Sequence, residues 1–165
     1  MAHWSLRSLL QHWTDPFRLY IHDDGTCTRQ TLSILREKFI NAAVIPRTDA
    51  SREVVPRLGN SADLISWRER DYIAAKCIDF YLIGLEEWVI ILDPDVLFFG
   101  QPSDLFELSP ASLWMMDCFY SPYIDPEEAK RLFARVPQPV SGGLGRIRRD
   151  SIDLGLLREI VHFKT

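Results

Sequence analysis

Apolar residues recur at helical spacing over residues 4–13, where Trp4, Leu6, Leu9, Leu10 and Trp13 mark a helix that Asp15-Pro16 ends. Residues 17–21 then read as a short strand. Residues 28–39 return to a helical period with Leu32, Leu35, Phe39 and Ile40 on one face, and residues 42–45 form a second strand closed by Pro46. Residues 49–58 predict a short helix whose Pro56 warns of its end, because proline gives up a helical donor. After the turn Gly59-Asn60-Ser61, a long helical pattern covers residues 69–85 through Tyr72, Ile73, Cys77, Phe80 and Leu82.

The strongest pattern follows. Trp88-Val89-Ile90-Ile91-Leu92 is an apolar run that enters Asp93-Pro94-Asp95 and then resumes as Val96-Leu97-Phe98-Phe99. Consecutive apolar residues read as a strand covered on both faces, as in parallel sheets, and open α/β sheets collect ligands at the carboxyl ends of such strands. Beyond it lie a helical turn at 104–108, a strand at 112–116, a loop at 117–128 and a short helix at 126–134. A glycine-broken strand at 140–147 and an amphipathic helix at 152–161 complete the chain. Strands alternating with helices predict an α/β fold, a three-layer α/β/α sandwich on a mixed, mostly parallel sheet.

Composition narrows the function classes. The 165 residues are the size of one domain, 47% hydrophobic and 25% charged, an ordinary globular balance. A net charge of −4, with no basic run denser than Arg146-Ile147-Arg148-Arg149, argues against a nucleic-acid partner. No apolar stretch is long enough to span a bilayer, and the N-terminus lacks the charged and apolar regions of a signal peptide. Cys27, Cys77 and Cys118 are odd in number and widely spaced, which reads as reduced thiols in a cytoplasmic protein.

Four groups of residues carry candidate chemistry. Asp93 and Asp95 at a strand end offer carboxylate oxygens to a hard cation, Mn²⁺ or Mg²⁺, which in turn holds phosphate oxygens; the plain alternative is an acidic turn. Asp23-Asp24-Gly25-Thr26 is a second strand-to-acid junction, either a turn or a hydrogen-bonding site for a nucleotide. Lys76 is a solvated helix lysine or a point charge for a phosphate. Ser141, Gly142 and Gly143 sit in a strand context where glycine marks a bulge or a close backbone approach to a ligand. His162 near the C-terminus is either a metal ligand or, as a lone His at a helix end more often is, a surface residue. No serine nucleophile elbow and no phosphate-loop signature is present.

In their order along the chain, these motifs resemble the GT-A fold glycosyltransferases of the family 8 type, the relatives of glycogenin and the galactosyltransferases. The resemblance covers residues 17–155: the helix with Lys76, the strand ending Asp93-Pro94-Asp95-Val96-Leu97, the short helix at Pro102-Ser103-Asp104-Leu105, and Val140-Ser141-Gly142-Gly143-Leu144, similar to the family's Asn-Ala-Gly strand. It implies a metal-dependent transfer of a sugar from a nucleotide-diphosphate donor, with the acceptor left open. By the same resemblance Asp93 and Asp95 bind Mn²⁺ or Mg²⁺ and the donor diphosphate, Lys76 touches the donor, Ser141, Gly142 and Gly143 line the sugar pocket, and Asp23 and Asp24 belong to the nucleotide-binding half. Ser141 stands where the family has Asn, and the family's opening strand and closing metal-binding His have no counterpart. The expectation is therefore a single domain over residues 1–165, incomplete at both ends, with exposed apolar edges that favour a homo-oligomer. A catalytically incomplete remnant acting as an interaction domain is the second reading. A haloacid dehalogenase-type phosphatase, which also sets Asp-x-Asp after an apolar strand, is the third; here Val96-Leu97 replace its usual tail, and His22 stands where the acidic turn would need its nucleophilic Asp.

Overall fold

In the computed structural model, which describes residues 2–107, 111–116, 127, 131 and 140–162, these patterns form a mixed α/β chain with one small parallel and one small antiparallel sheet. In order the elements are α1 (Ala2–His12), β1 (Leu19–His22), α2 (Arg29–Lys38), β2 (Ala42–Ile45), α3 (Arg47–Leu58), α4 (Ala62–Arg70) and α5 (Tyr72–Leu82). Then come β3 (Trp88–Leu92), α6 (Ser103–Phe106), β4 (Leu113–Met116), β5 (Val140–Arg148), a 3-10 turn (Arg149–Ser151) and α7 (Leu154–His162). They sort into two compact units, Met1–Trp13 with Trp88–Arg148 and Thr14–Glu87 with Arg149–Thr165. The loop expected at 117–128 and most of the helix expected at 126–134 lie outside the described residues, as does Cys118. Among the described residues no helix is long and apolar enough to cross a membrane.

In the first unit, α1 buries Leu6, Leu9 and, just past its end, Trp13, whose indole stacks on Phe106 at 3.8 Å between centroids. The sheet runs in the order β3-β5-β4, and both pairings are antiparallel. The parallel surroundings expected for the Asp93 strand are thus absent from the described ladder. An apolar run reports burial, whereas strand direction is fixed by a partner some fifty residues away, Trp88 against Arg148 and Leu92 against Leu144. The glycine-broken strand does form. Its register against β4 jumps from Trp114↔Gly145 to Met115↔Ser141, so residues 142–144 bulge out of that ladder. Gly145 lies beneath Trp114, and a Cβ there would stand 2.5 Å from the indole ring.

In the second unit, β1 and β2 pair in parallel from Leu19↔Ala42 to His22↔Ile45, joined through α2. Thr28 starts α2 by accepting from the Thr31 N–H at 3.1 Å, an N-cap in the usual sense. The expected face of α2 is only partly realised: Phe39 is buried but Ile40 is 85% exposed. The core lies among α3, α4, α5 and α7, where Val54, Leu58, Leu64, Trp67, Ala74, Ile78 and Val161 pack together. Pro56 falls in the last turn of α3, which continues to Leu58. A proline there removes one bond near an end that frays in any case, so the helix tolerates it.

The helix expected over 69–85 is α5, shortened to Tyr72–Leu82, and α4 before it occupies a stretch where no helix was expected. Asp71 adopts an extended conformation and accepts from the Ile73 N–H at 2.9 Å, capping α5 and ending α4. Glu69-Arg70-Asp71 are all polar, and the apolar period begins only at Tyr72, where α5 starts. Across the break Arg68 and Asp79, each 2% exposed, form a two-pronged pair of 2.6 and 2.7 Å, and the remaining Arg68 nitrogen donates to Ser51 at 2.9 Å. Arg149 closes the C-terminal end of α5: its guanidinium donates to the carbonyls of Phe80 (2.9 Å), Tyr81 (3.2 Å) and Ile83, and to that of Glu86 (2.7 Å).

Candidate functional site

β3 ends at Leu92, so Asp93 is the first residue to leave the sheet, and it does so under restraint. Its N–H donates to the Gly143 carbonyl at 2.7 Å, extending the β3–β5 ladder by one bond. Its carbonyl accepts from the Ser5 hydroxyl of α1 at 3.2 Å and from the Val96 N–H at 3.3 Å, which closes the Asp93-Pro94-Asp95-Val96 turn. Ser8, one turn further along α1, accepts from the Phe98 N–H at 3.0 Å and donates to the Ser5 carbonyl at 2.8 Å. The acidic turn is therefore fastened on one side to the bulged strand and on the other to two serines at i, i+3 of a helix. Proline between the carboxylates adds a fixed φ and removes a donor that nothing here would pair.

Asp93 is half-buried and Asp95 exposed. The Asp93 carboxylate leans over Gly143: a Cβ on that glycine would stand 3.2 Å from Asp93 Oδ2 and 3.2 Å from the Ser141 hydroxyl. Ser141 in turn accepts from the Gly143 N–H at 3.1 Å, holding the bulge in shape. Gly142 has open space where its side chain would be. The structure thus brings Asp93, Ser141, Gly142 and Gly143 together in the first unit, with Gly143 buried and Gly142 exposed, and Asp95 exposed two residues along the same turn. Two carboxylates of this kind are hard oxygen donors, and Mg²⁺-type sites commonly use one or two such groups with substrate phosphates and water supplying the rest. Among the described residues no group of three or more His, Cys, Asp and Glu side chains gathers into a cage.

Asp23, Asp24 and Lys76 belong to the second unit. Asp23 follows β1, and its N–H extends the parallel pairing by donating to the Ile45 carbonyl at 3.0 Å. Its carboxylate is 9% exposed and accepts from the N–H groups of Gly25 (2.9 Å), Cys27 (3.1 Å) and Arg47 (3.4 Å). Burial pushes this carboxyl up, but those donors hold it below the usual carboxylate range. Asp24 accepts from the Thr26 N–H at 2.9 Å and hydroxyl at 2.6 Å, and Gly25 takes a φ of 98°, the left-handed region that favours glycine. The junction is a pair of side-chain-closed turns, with Asp23 organising the loop. Lys76 sits half-buried on α5.

His162 pairs with Asp63 at 3.1 Å on the surface of the second unit. The basic run is taken up structurally: Arg146 is buried over the Trp88 ring at 4.8 Å and donates to the Ala111 carbonyl at 2.8 Å, and Arg149 closes α5. Neither guanidinium forms part of a polyanion surface. Sequence reasoning missed Ser5 and Ser8, which hold the acidic turn. The available signal was small: Ser5 stands beside Leu6 and one turn before Leu9, at a position the helical period assigns to the core, and it is 1% exposed.

No family model, no curated protein and no solved structure matches this chain.

Proposed function

We propose that this chain is a metal-dependent glycosyltransferase that moves a sugar from a nucleotide-diphosphate donor to an acceptor hydroxyl, on a three-layer α/β/α sandwich of the GT-A type. One observation carries the reading: the strand-end carboxylate of Asp93 lies directly over Gly143, with its main chain tied to the same residue. In this arrangement the carboxylate pair would face a diphosphate whose sugar lies against the exposed Gly142. Asp93 and Asp95 would hold Mn²⁺ or Mg²⁺, which when bound supplies charge neutralisation for a departing diphosphate. Asp93, pinned at both its N–H and its carbonyl, presents its carboxylate from a fixed position, so little ordering is required on binding. Ser141 keeps the Gly142-Gly143 bulge in shape, and the absence of side chains there admits the donor sugar.

The test is thermal unfolding with Mn²⁺ alone, with nucleoside diphosphates, and with a panel of nucleoside diphosphate sugars. Ligand that binds the folded state raises its melting temperature by mass action. A rise that needs both Mn²⁺ and the nucleotide, and that Asp93→Ala abolishes, supports the reading. No rise in the wild-type chain with any member of the panel would sink it and leave an α/β interaction domain in its place.

A further inference from the structure

The second wall of the acidic turn has its own chemistry. Trp4, Arg7, Ser8 and Gln11 fall at i, i+3, i+4 and i+7 of α1 and form one stripe along the helix. Facing it is the segment that leaves the acidic turn, with Leu97 48% and Phe99 90% exposed. Between them is an open groove of about 220 Å³. The groove is held in shape, since the Phe98 N–H is bonded to the Ser8 hydroxyl at 3.0 Å.

Its size and lining select an occupant. A standard protein partner needs about 800 Å² of surface on each side, which a groove this small does not offer. Clefts for drug-sized ligands run about 300–1,000 Å³, so this one takes a single small ring. Two aromatic side chains, Trp4 at 63% and Phe99 at 90% exposure, present electron-rich faces to solvent. Arg7 and Gln11 add hydrogen-bond donors on the helical wall, and among the described residues no carboxylate lines the groove. A ring with an apolar C–H face and a rim of hydroxyls satisfies both kinds of wall. A cation does not, and a purely aliphatic chain would gain no hydrogen bond from Arg7 and Gln11, which are exposed at the rim.

We infer that this groove is a subsite for one pyranose ring of the acceptor, stacked on Trp4 and Phe99 and hydrogen-bonded by Arg7 and Gln11. The role as acceptor subsite rests on the glycosyl-transfer reading; the binding of a sugar does not. Phe99 lies on the same segment as Asp95, and α1 anchors both ends of that segment through Ser5 and Ser8. A ring seated in the groove therefore keeps a fixed relation to the carboxylates.

The experiment is a titration of the ¹⁵N-labelled full chain with methyl glycosides of glucose, galactose, mannose and glucuronic acid, read by two-dimensional NMR. Saturable millimolar shifts at the Trp4 indole N–H and the Gln11 side-chain amide are expected with at least one glycoside. Phe99→Ala, at a position exposed enough to leave the fold intact, should weaken that binding about ten-fold through loss of one stacked apolar face. Three results would each overturn the inference: no shift with any glycoside, shifts that follow protein concentration without sugar, or shifts only with phosphatidylglycerol vesicles. The same samples separate this inference from the transferase reading. Glycoside shifts in a chain that binds no nucleotide with Mn²⁺ keep the sugar site and remove the transferase, whereas Mn²⁺-dependent nucleotide binding without glycoside shifts removes only the groove.

Discussion

Asp93 and Gly143 are joined twice, by a 2.7 Å bond from the Asp93 N–H to the Gly143 carbonyl and by the Asp93 carboxylate lying where a Gly143 side chain would be. The backbone of Gly143 is not in the left-handed region, so alanine is conformationally allowed there. Its methyl would meet Asp93 Oδ2 and the Ser141 hydroxyl at 3.2 Å each, and both must give way by a few tenths of an ångström. Gly143→Ala should therefore displace the carboxylate more than it unfolds the chain. The expected result is a stability loss of about 1 kcal/mol with at least a ten-fold weaker Mn²⁺-dependent response to nucleoside diphosphates, read by thermal shift and titration calorimetry. An unchanged response would show that the carboxylate position does not matter to binding.

Gly145 poses a harder steric problem two residues on. A methyl there would stand 2.5 Å from the Trp114 ring, closer than real contacts allow, and the ring lies directly across the strand pair. Gly145→Ala should destabilise by about 1–3 kcal/mol, the usual cost of forcing a side chain aside. Adding Trp114→Ala should recover part of that loss, since the clash disappears with the indole. Urea denaturation of the two single variants and the double variant measures this directly; strictly additive losses would contradict a clash between these two residues.

The buried pair in the second unit makes a prediction of opposite kind. Arg68 and Asp79 bond each other in a fork with both side chains almost fully out of water. The Arg47 guanidinium is 3.9 Å from the same carboxylate, an ion-pair separation too long for a hydrogen bond, while its other nitrogen donates to the Arg68 carbonyl. Removing Asp79 would leave the Arg68 guanidinium buried without its carboxylate and beside the like-charged Arg47, which keeps only the weaker attraction of Asp24 and Asp23. Asp79→Ala should cost about 3–5 kcal/mol, whereas the double variant Arg68→Met, Asp79→Leu should cost far less, because breaking a buried pair is worse than replacing it with apolar side chains. If the double variant is as unstable as Asp79→Ala, the pair is not the source of the loss.

Element existence was legible where period and punctuation agreed. Thr28 before α2, Pro46 before α3 and Asp15-Pro16 after α1 all mark observed boundaries within a few residues. Asp71 was a cap that moved the start of the expected helix to Tyr72, and α4, with no strong apolar period of its own, was not foreseen. The direction of β3 was not legible at all, because Trp88 to Leu92 carry the same apolar run whichever way the partner strand lies. At the site, the carboxylates and glycines were visible as residue types with unusual neighbours. Their union was not, since the Asp93–Gly143 bond joins residues about fifty positions apart and the Ser5–Asp93 bond spans eighty-eight positions. The turn at Asp23-Asp24-Gly25 was legible in both of its readings, and only the donors from Gly25, Cys27 and Arg47 show how its carboxylate is occupied.

His22 gives the pH dependence its sign. The ring is packed against Phe80 at 4.7 Å between centroids, and its Nδ1 is buried with no hydrogen-bond partner. Burial is the main reason its pKa falls from 6.5 to about 4; Asp79 pulls it up, and Arg149 and Arg68 push it down. In the unfolded chain the imidazole takes its proton near pH 6.5, whereas the folded chain resists until about pH 4. Between those values the unfolded state binds more protons, so stability falls as pH falls, by up to about 1.4 kcal/mol per pH unit from this group. Above pH 6.5 the ring is neutral in both states and contributes no slope. His22→Phe cannot be protonated, and its stability should fall less steeply than the wild type's between pH 6.5 and 4 when both are followed by chemical denaturation. Parallel curves for the two proteins over that window would show that His22 is not the source of the acid sensitivity there; the Asp23 contribution is lost only at lower pH, below the ordinary carboxylate range.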